Sequence, residues 1–292
     1  MKVPGVLHRG ISAGAVAAAL MLTVIGFGGC GSSSESADGD RPKQILFLMN
    51  GNSPFWDTMR EGINAASDEF GVEAHLETND GTPQGQIDKL RQFGTQLDIA
   101  GVAVCAIDAA NVAIADQLRQ LREQGVKVIT VDSDVDRDKF RDARFAFVGT
   151  NNYAGGVALG ICAKNLRPDG GAYVTFVGRK GAQNAIERIG GFGEGAGEAF
   201  TELDSMQDGN DRTRAKEQVR SAIRNHANLD TLVGIWSYNA PSIVDIVDEL
   251  GVRDRMTVVT FDAEPIEIQQ LGDGKIDAMV VQNPFEMGYQ GV

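Results

Sequence analysis

Residues 45–71 read ILFLMNGNSPFWDTMREGINAASDEFG, and the fold turns on this stretch. It opens with five apolar residues, Ile45–Met49, a length and density that suit a strand buried on both faces. A polar turn of Asn, Gly, Ser and Pro follows. Then comes Phe55–Phe70, whose apolar positions recur at helical spacing, stopped by Gly71. Glycine accepts the left-handed conformation that ends a helix. The same sequence of helix, Gly and strand recurs at Gln124-Gly125-Val126 and Leu250-Gly251-Val252.

Working outward, the pattern predicts further strands at Glu73–Glu77, Gly101–Cys105, Lys127–Val131, Phe145–Gly149, Ala172–Val177, Leu232–Trp236, Val258–Phe261 and Ala278–Val281. Helices are expected between them, one of them over Ala185–Phe200. Apolar strands alternating with helices imply an α/β fold with a parallel sheet covered on both faces. One large sheet and two lobes both fit that count, whereas a TIM barrel fits it poorly. In open parallel sheets, ligands sit beyond the carboxyl ends of the strands. Those ends collect Asn50 to Trp56, Asp132-Ser133-Asp134, Gly149 to Asn152, Gly178-Arg179-Lys180, Ser237-Tyr238-Asn239, Asp262 and Gln282-Asn283. Asp, Asn, Gln and Arg dominate this set, with two aromatics at one end.

The chain has 292 residues, 42% hydrophobic, enough for two lobes. Residues 1–29 read as an export signal: Lys2, His8 and Arg9 precede an uncharged run, Ile11–Phe27, that ends in Gly28-Gly29-Cys30. The pattern resembles a bacterial lipoprotein signal, which makes Cys30 the expected lipidation site and implies a membrane anchor. Phe27 stands where such signals usually carry Leu. The following polar run over 31–40, GSSSESADGD, reads as part of a flexible tether over 30–41. Loss of residues 1–29 removes Lys2 and Arg9 and no acid, which moves the formal charge from −13 to −15. So acidic a chain excludes nucleic acid as partner, because phosphate binding needs a basic face. The His residues (8, 75 and 226) are scattered, so no metal site or catalytic triad is expected, and no cofactor. Cys105 and Cys162 lie in apolar stretches and read as buried small hydrophobes.

Seven motifs carry a resemblance to a known family. They are residues 50–71, VKVITVDSD at 126–134, FVGTNNYAGG at 147–156, NAIERIGGF at 184–192, GIWSYNA at 234–240, VVTFDAEP at 258–265 and VVQNPFEMG at 280–288. In order and spacing they resemble the type I periplasmic sugar-binding proteins, the ribose-binding group. The likeness covers about residues 43–292 and implies two Rossmann-like lobes with parallel sheets joined by a hinge. The expected first lobe is 42–150 plus 282–292, and the second 151–281. Relatives continue past a helix that here begins at the chain's end, so the first lobe is expected to lack its last part.

The resemblance implies site roles residue by residue. Phe55 and Trp56 match aromatics that sandwich a sugar ring, and Ser53 stands where ribose binders usually have a ligand-bonding Asn. Asp132 matches an acceptor of sugar hydroxyls and Arg188 a donor from the second lobe. Asn239, Asp262 and Gln282 match the remaining polar contacts. Two positions depart. Ser133 replaces an Arg, and no second-lobe aromatic stands near Asn210, so ribose itself is doubtful.

The chemistry suits such a ligand independently of the resemblance. Sugar C–H faces pack on aromatic rings, ionised Asp accepts two bonds, and Arg donates two in a plane. One Arg between two Asp also compensates charge in a dry cleft, which favours a small neutral sugar over an anion.

Plainer readings compete at each position. Asp132 and Asp262 could cap the next helix or turn. Phe55 and Trp56 could be core, and Arg188 could pair on the surface with Glu187 or Glu194. Asp134, Asp136 and Asp138 alternate like a calcium loop but lack its Gly and terminal Glu, which favours a solvated acidic loop. The Gly-rich run 190–195 follows a helical stretch rather than a strand and is a poor nucleotide fingerprint.

The expected function is solute capture by hinge closure. The chain would be the monomeric binding component of an ABC importer, handing its ligand to a membrane permease. A sensor of a sugar or autoinducer feeding a chemoreceptor or kinase is the alternative. An enzyme is disfavoured, since no nucleophile, base or metal set is visible.

Overall fold

The computed structural model describes residues 43–292. The export signal, Cys30 and the tether lie outside the described residues.

The first lobe begins with β1 (Gln44–Leu48), α1 (Phe55–Phe70), β2 (Glu73–Glu77), α2 (Pro83–Phe93) and β3 (Ile99–Val104). It continues with α3 (Val112–Glu123), β4 (Lys127–Val131), a short α4 (Arg137–Phe140) and β5 (Ala146–Val148). The second lobe runs through α5 (Asn152–Leu166), β6 (Gly171–Val177), α6 (Gln183–Ala196), β7 (Phe200–Gln207) and α7 (Arg212–Asn225). It ends with β8 (Thr231–Gly234), α8 (Asn239–Leu250), β9 (Thr257–Phe261), α9 (Pro265–Gly272) and β10 (Ala278–Val280). The chain then crosses back, and α10 (Pro284–Gly291) packs on α1.

Each lobe holds one five-stranded parallel sheet. The orders are β2-β1-β3-β4-β5 and β10-β9-β8-β6-β7. Read from its first strand, each sheet has the same doubly wound order. The order reverses between β1 and β3 in one lobe and between β6 and β8 in the other. Crevices open at such reversals, and here the two crevices face each other.

Side-chain alternation explains why the first strand is apolar throughout. In β1, Leu46 and Leu48 point into one core layer with Ile114 and Leu118, while Phe47 points into another with Met59 and Ile63. Both faces of the sheet are therefore buried.

One expected helix boundary is corrected. Helix α6 ends at Ala196, and Phe200–Gln207 forms β7 instead of a helix end and loop. Its sequence, FTELDSMQ, is polar at several positions because β7 is an edge strand with exposed residues.

The Gly-rich run in α6 has a packing role. A Cβ at Gly156 of α5 would lie 2.3 Å from the Arg188 carbonyl oxygen, and one at Gly160 would lie 2.3 Å from that of Phe192. From the other side, Gly191 and Gly195 press on the backbone of Tyr153 and Val157. Glycines at helical spacing on both helices thus bring the two backbones together and set the height of Arg188.

Candidate functional site

Loops at the carboxyl ends of both sheets enclose a cleft of about 560 Å³, part of it open to solvent. The first lobe contributes Asn50, Gly51, Asn52, Ser53, Phe55, Trp56 and Asp132. From the second come Asn184, Arg188, Asn210, Arg212, Trp236, Ser237, Tyr238 and Asp262, and Gln282 enters from the crossing segment after β10.

Backbone strain marks the same place. Among the described residues, the non-glycine positions with positive φ are Asp132 (60°), Asn210 (68°) and Asp262 (80°). All three line the cleft. Left-handed backbone at a residue with a Cβ costs of order 1–3 kcal/mol and concentrates at functional sites.

Asp132 follows β4 and is buried. It caps nothing. Its Oδ2 accepts from Asn184 Nδ2 at 3.0 Å and from the Cys105 thiol at 3.3 Å. Burial raises its pKa above the usual carboxylate range, although the Arg188 guanidinium opposes the shift. Cys105 is indeed a buried small side chain, but it also donates to the site's acid.

Arg188 is 1% exposed, and its partner is neither Glu187 nor Glu194. Its Nε donates to Asn152 Oδ1 and its Nη1 to the Ile235 carbonyl, both at 2.9 Å. Its guanidinium stacks 4.4 Å from the Phe261 ring centroid. Nη2 is buried without a hydrogen-bond partner, 3.9 Å from Asp132 Oδ1. That distance allows attraction between the charges but is too long for a hydrogen bond.

Asp262 follows β9 and leaves the capping of α9 to Glu264. Its Oδ1 accepts from Gln282 Nε2 at 2.7 Å, and Gln282 Oε1 accepts from Thr150 Oγ1 at 2.8 Å. The bond between Thr150 and Gln282 joins the two segments that cross between lobes. Burial pushes the Asp262 carboxyl up to about 6.

Phe55 and Trp56 meet edge to face at 4.9 Å in the first turn of α1. Trp56 packs into the core with Met59 and also lines the cleft, so both readings of it hold. Ser53 lies at the rim, its Oγ 3.5 Å from Ser237 Oγ and donating to Glu264 at 3.4 Å.

Two of the expected contacts stand behind the lining rather than in it. Ser133 is fully buried and turned away from the cleft. Asn239 is fully buried at the start of α8, where its Oδ1 accepts from the Trp236 backbone N–H at 3.0 Å. Its Nδ2 donates to Asp208 Oδ2 at 3.1 Å. Asn239 therefore holds the turn that carries Trp236 and Tyr238.

That turn supplies the second-lobe aromatics, which sequence reasoning had sought near Asn210. The Trp236 ring lies over Gly178, where a Cβ would come within 2.2 Å of it. Tyr238 donates its hydroxyl to the buried Asp208, whose pKa burial raises to about 6. Asn184, Asn210 and Arg212 were likewise not foreseen. For Asn184 the sequence did hold a signal, since it precedes Arg188 by one helical turn.

The acidic run after β4 forms no ion site. Asp134 is buried and takes two bonds from Arg144, which with Thr130 and Arg137 hold its carboxyl below the usual range against burial. Asp136 caps α4. No cluster that could hold a metal is present among the described residues.

Two lobes with facing crevices, and strained polar residues at the strand ends between them, describe a receptor for a small solute. A family model described as "Periplasmic binding protein domain" matches residues 45–292. The chain belongs to the periplasmic binding protein family. This membership places it among extracytoplasmic binding proteins rather than enzymes. No helix among the described residues is long and apolar enough to cross a membrane.

Relatives of this binding protein include the D-allose-binding periplasmic protein of Escherichia coli. The two are 23% identical over 259 residues, which span 85% of this chain and 81% of that one. The fructose import binding protein of Bifidobacterium longum is 25% identical over 266 residues, 88% and 80% of the two chains. Among solved structures, a solute-binding protein of Burkholderia graminis in complex with D-arabinose superposes with a TM-score of 0.79. It is 22% identical and the match covers 87% of this chain and 88% of that one.

Proposed function

We propose that this periplasmic binding protein captures a small neutral sugar between its lobes and delivers it to an ABC importer. The observation that carries this reading is the unspent polarity around Arg188. Its Nη2 is buried with no hydrogen-bond partner, and Asp132 Oδ1 and Asp262 Oδ2, on side chains that line the cleft, take no hydrogen bond from the described residues. Buried polar atoms are normally satisfied. A ligand rich in hydroxyls supplies what is missing, because each hydroxyl both donates and accepts. Phe55, Trp56, Trp236 and Tyr238 line the cleft and supply aromatic surface for sugar C–H groups. Asp132 and Asp262 balance Arg188 and Arg212 in the charged lining, which suits a neutral ligand. The transport role rests on the relatives, which include sugar import binding proteins.

Capture by hinge closure is supported by bonds that cross the cleft. Asn184 reaches Asp132, Ala109 N donates to the Gly181 carbonyl at 2.8 Å, and Arg137 pairs with Glu187 at 3.1 Å. A ligand that bridges the lobes adds to this set and favours the shut form.

The test is calorimetry and thermal shift against pentoses, hexoses and deoxysugars. One or more sugars are expected to bind and to raise the melting temperature. Binding of an unrelated solute with no response to any sugar would remove the sugar reading. Asp132→Ala and Arg188→Ala each remove charge-assisted bonds, so each is expected to weaken binding by about 10- to 100-fold. Wild-type affinity in both variants would show that the site lies elsewhere.

A further inference from the structure

Asn184 lies in the first turn of α6, on the same face as Arg188 and one turn before it. It is 2% exposed and lines the cleft. Both ends of its amide are engaged. Trp236 Nε1 donates to its Oδ1 at 3.3 Å, and its Nδ2 donates across the cleft to Asp132 Oδ2 at 3.0 Å. The Trp236 ring cannot move toward Gly178, because it already occupies the space of the absent Cβ. Trp236, Asn184 and Asp132 thus form a fixed buried relay from the second lobe to the first.

The relay changes what the acid can offer. An ionised Asp usually presents two oxygens to a ligand. Here Oδ2 already accepts from Asn184 and from Cys105. Oδ1 alone remains, and it faces the unpartnered Arg188 Nη2 across 3.9 Å. Solvent does not reach Nη2 in this form, so a ligand hydroxyl that lies about 2.8 Å from each atom, donating to the carboxylate and accepting from the guanidinium, must enter before the lobes shut.

We propose that Asn184 is a specificity-determining residue. By occupying Asp132 Oδ2 it reduces this side of the cleft to a position for a single ligand hydroxyl, between Asp132 Oδ1 and Arg188 Nη2. A sugar that offers two neighbouring hydroxyls to the carboxylate meets a filled site. A sugar with one hydroxyl at that position, in the orientation that reaches both atoms, is selected. The inference rests on the sugar reading above and deepens it.

The experiment is titration calorimetry with D-ribose, D-allose, D-arabinose and D-fructose on wild type, Asn184→Ala and Asn184→Ser. Melting curves accompany each protein, and Asn184→Ser is read if the Ala protein does not fold. Both variants remove the Asn184 amide from Asp132 Oδ2 and leave on it only the weaker Cys105 thiol donor. The ratio of Kd values between the poorest and the best bound sugar is expected to fall about fivefold, the worth of one net hydrogen bond. Measurable binding of a sugar that wild type rejects counts as the same result. A common change in all Kd values, with the ratio held within twofold, would overturn the inference and leave the sugar reading intact. If wild type binds none of the four sugars, the sugar reading falls and this inference falls with it.

Discussion

Asp262 provides a test of whether the site is built at the expense of stability. The side chain is buried, its backbone is left-handed, and its pKa is raised from 3.8 to about 6 by burial, despite help from Arg188 and Gln282. A carboxyl with a raised folded pKa destabilises the fold once the pH is high enough to ionise it. A shift of about two units is worth about 3 kcal/mol, since each unit is about 1.4 kcal/mol. Asp262→Asn removes the ionisation and keeps the shape. Its Oδ1 can still accept from Gln282 Nε2, and Asn tolerates positive φ as Asp does. The ligand-free variant is therefore expected to be more stable than wild type by up to about 3 kcal/mol at pH 7–8. The gain should shrink as pH falls from about 6 toward 3.8, where the wild-type carboxyl takes up its proton in both states. Affinity for sugar should move the other way, dropping about tenfold as a charge-assisted bond becomes a neutral one. Urea unfolding at pH 8, 6 and 4.5 measures the first effect and calorimetry at pH 8 the second. An Asn variant no more stable than wild type at pH 8, or more stable by the same amount at every pH, would refute the reasoning.

Two further variants probe the surroundings of the site. Glu267 is buried in α9, its Oε1 has no partner, and burial pushes its carboxyl up to about 9. Wild type should thus lose stability as pH rises from 4.5 toward 9, and Glu267→Gln should flatten that slope, as urea midpoints across this range would show. Gly156→Ala places a Cβ 2.3 Å from the Arg188 carbonyl oxygen, so α5 and α6 must part. Overpacking of this kind costs about 1–3 kcal/mol, and because it displaces Arg188 it should also weaken sugar binding; a variant that melts lower yet binds as wild type would separate the helix contact from the site.

The α/β architecture was legible because its strands are buried on both faces and so read as unbroken apolar runs. Edge strands are the exceptions: β2, EAHLE, exposes Glu73 and His75, and β7 is disguised by exposed Thr201, Glu202 and Asp204. Cleft-lining residues were legible where they follow a strand directly, as Asp132 and Asp262 do. Position after a strand does not say which way a side chain turns. Ser133 turns away, and Asn239 folds back on the Trp236 backbone, a direction set by the tight turn between β8 and α8. Trp236 was hidden for another reason. It was read as the end of a strand, and only the packing of its ring over Gly178, 58 residues earlier, brings it to the cleft. The second lobe's aromatics come from the β8–α8 turn and not from the loop around Asn210. Asn210 itself lines the cleft and has a left-handed backbone.

The same raised carboxyls imply that binding and protonation are linked. At pH 6 the Asp262 carboxyl, with a pKa of about 6 in the ligand-free protein, is about half protonated. Its Oδ2 takes no protein hydrogen bond, so a ligand hydroxyl that donates there favours the ionised form and drives the proton off. Asp132, raised by burial and with Oδ1 free, contributes in the same direction. The ligand cannot add much desolvation, because both side chains are already buried. Sugar affinity should therefore rise with pH through about 6 and level off above it, and binding at pH 6 should release up to about half a proton from Asp262. Calorimetry at pH 6 in two buffers of different ionisation enthalpy counts that proton directly, and the count should approach zero at pH 8. Proton uptake at pH 6, with affinity falling as pH rises, would mean that the acids meet the ligand as neutral donors and would reverse their assignment as acceptors. Affinity that is flat from pH 5 to 8 would mean that the ligand shifts neither carboxyl, and would remove the assignment.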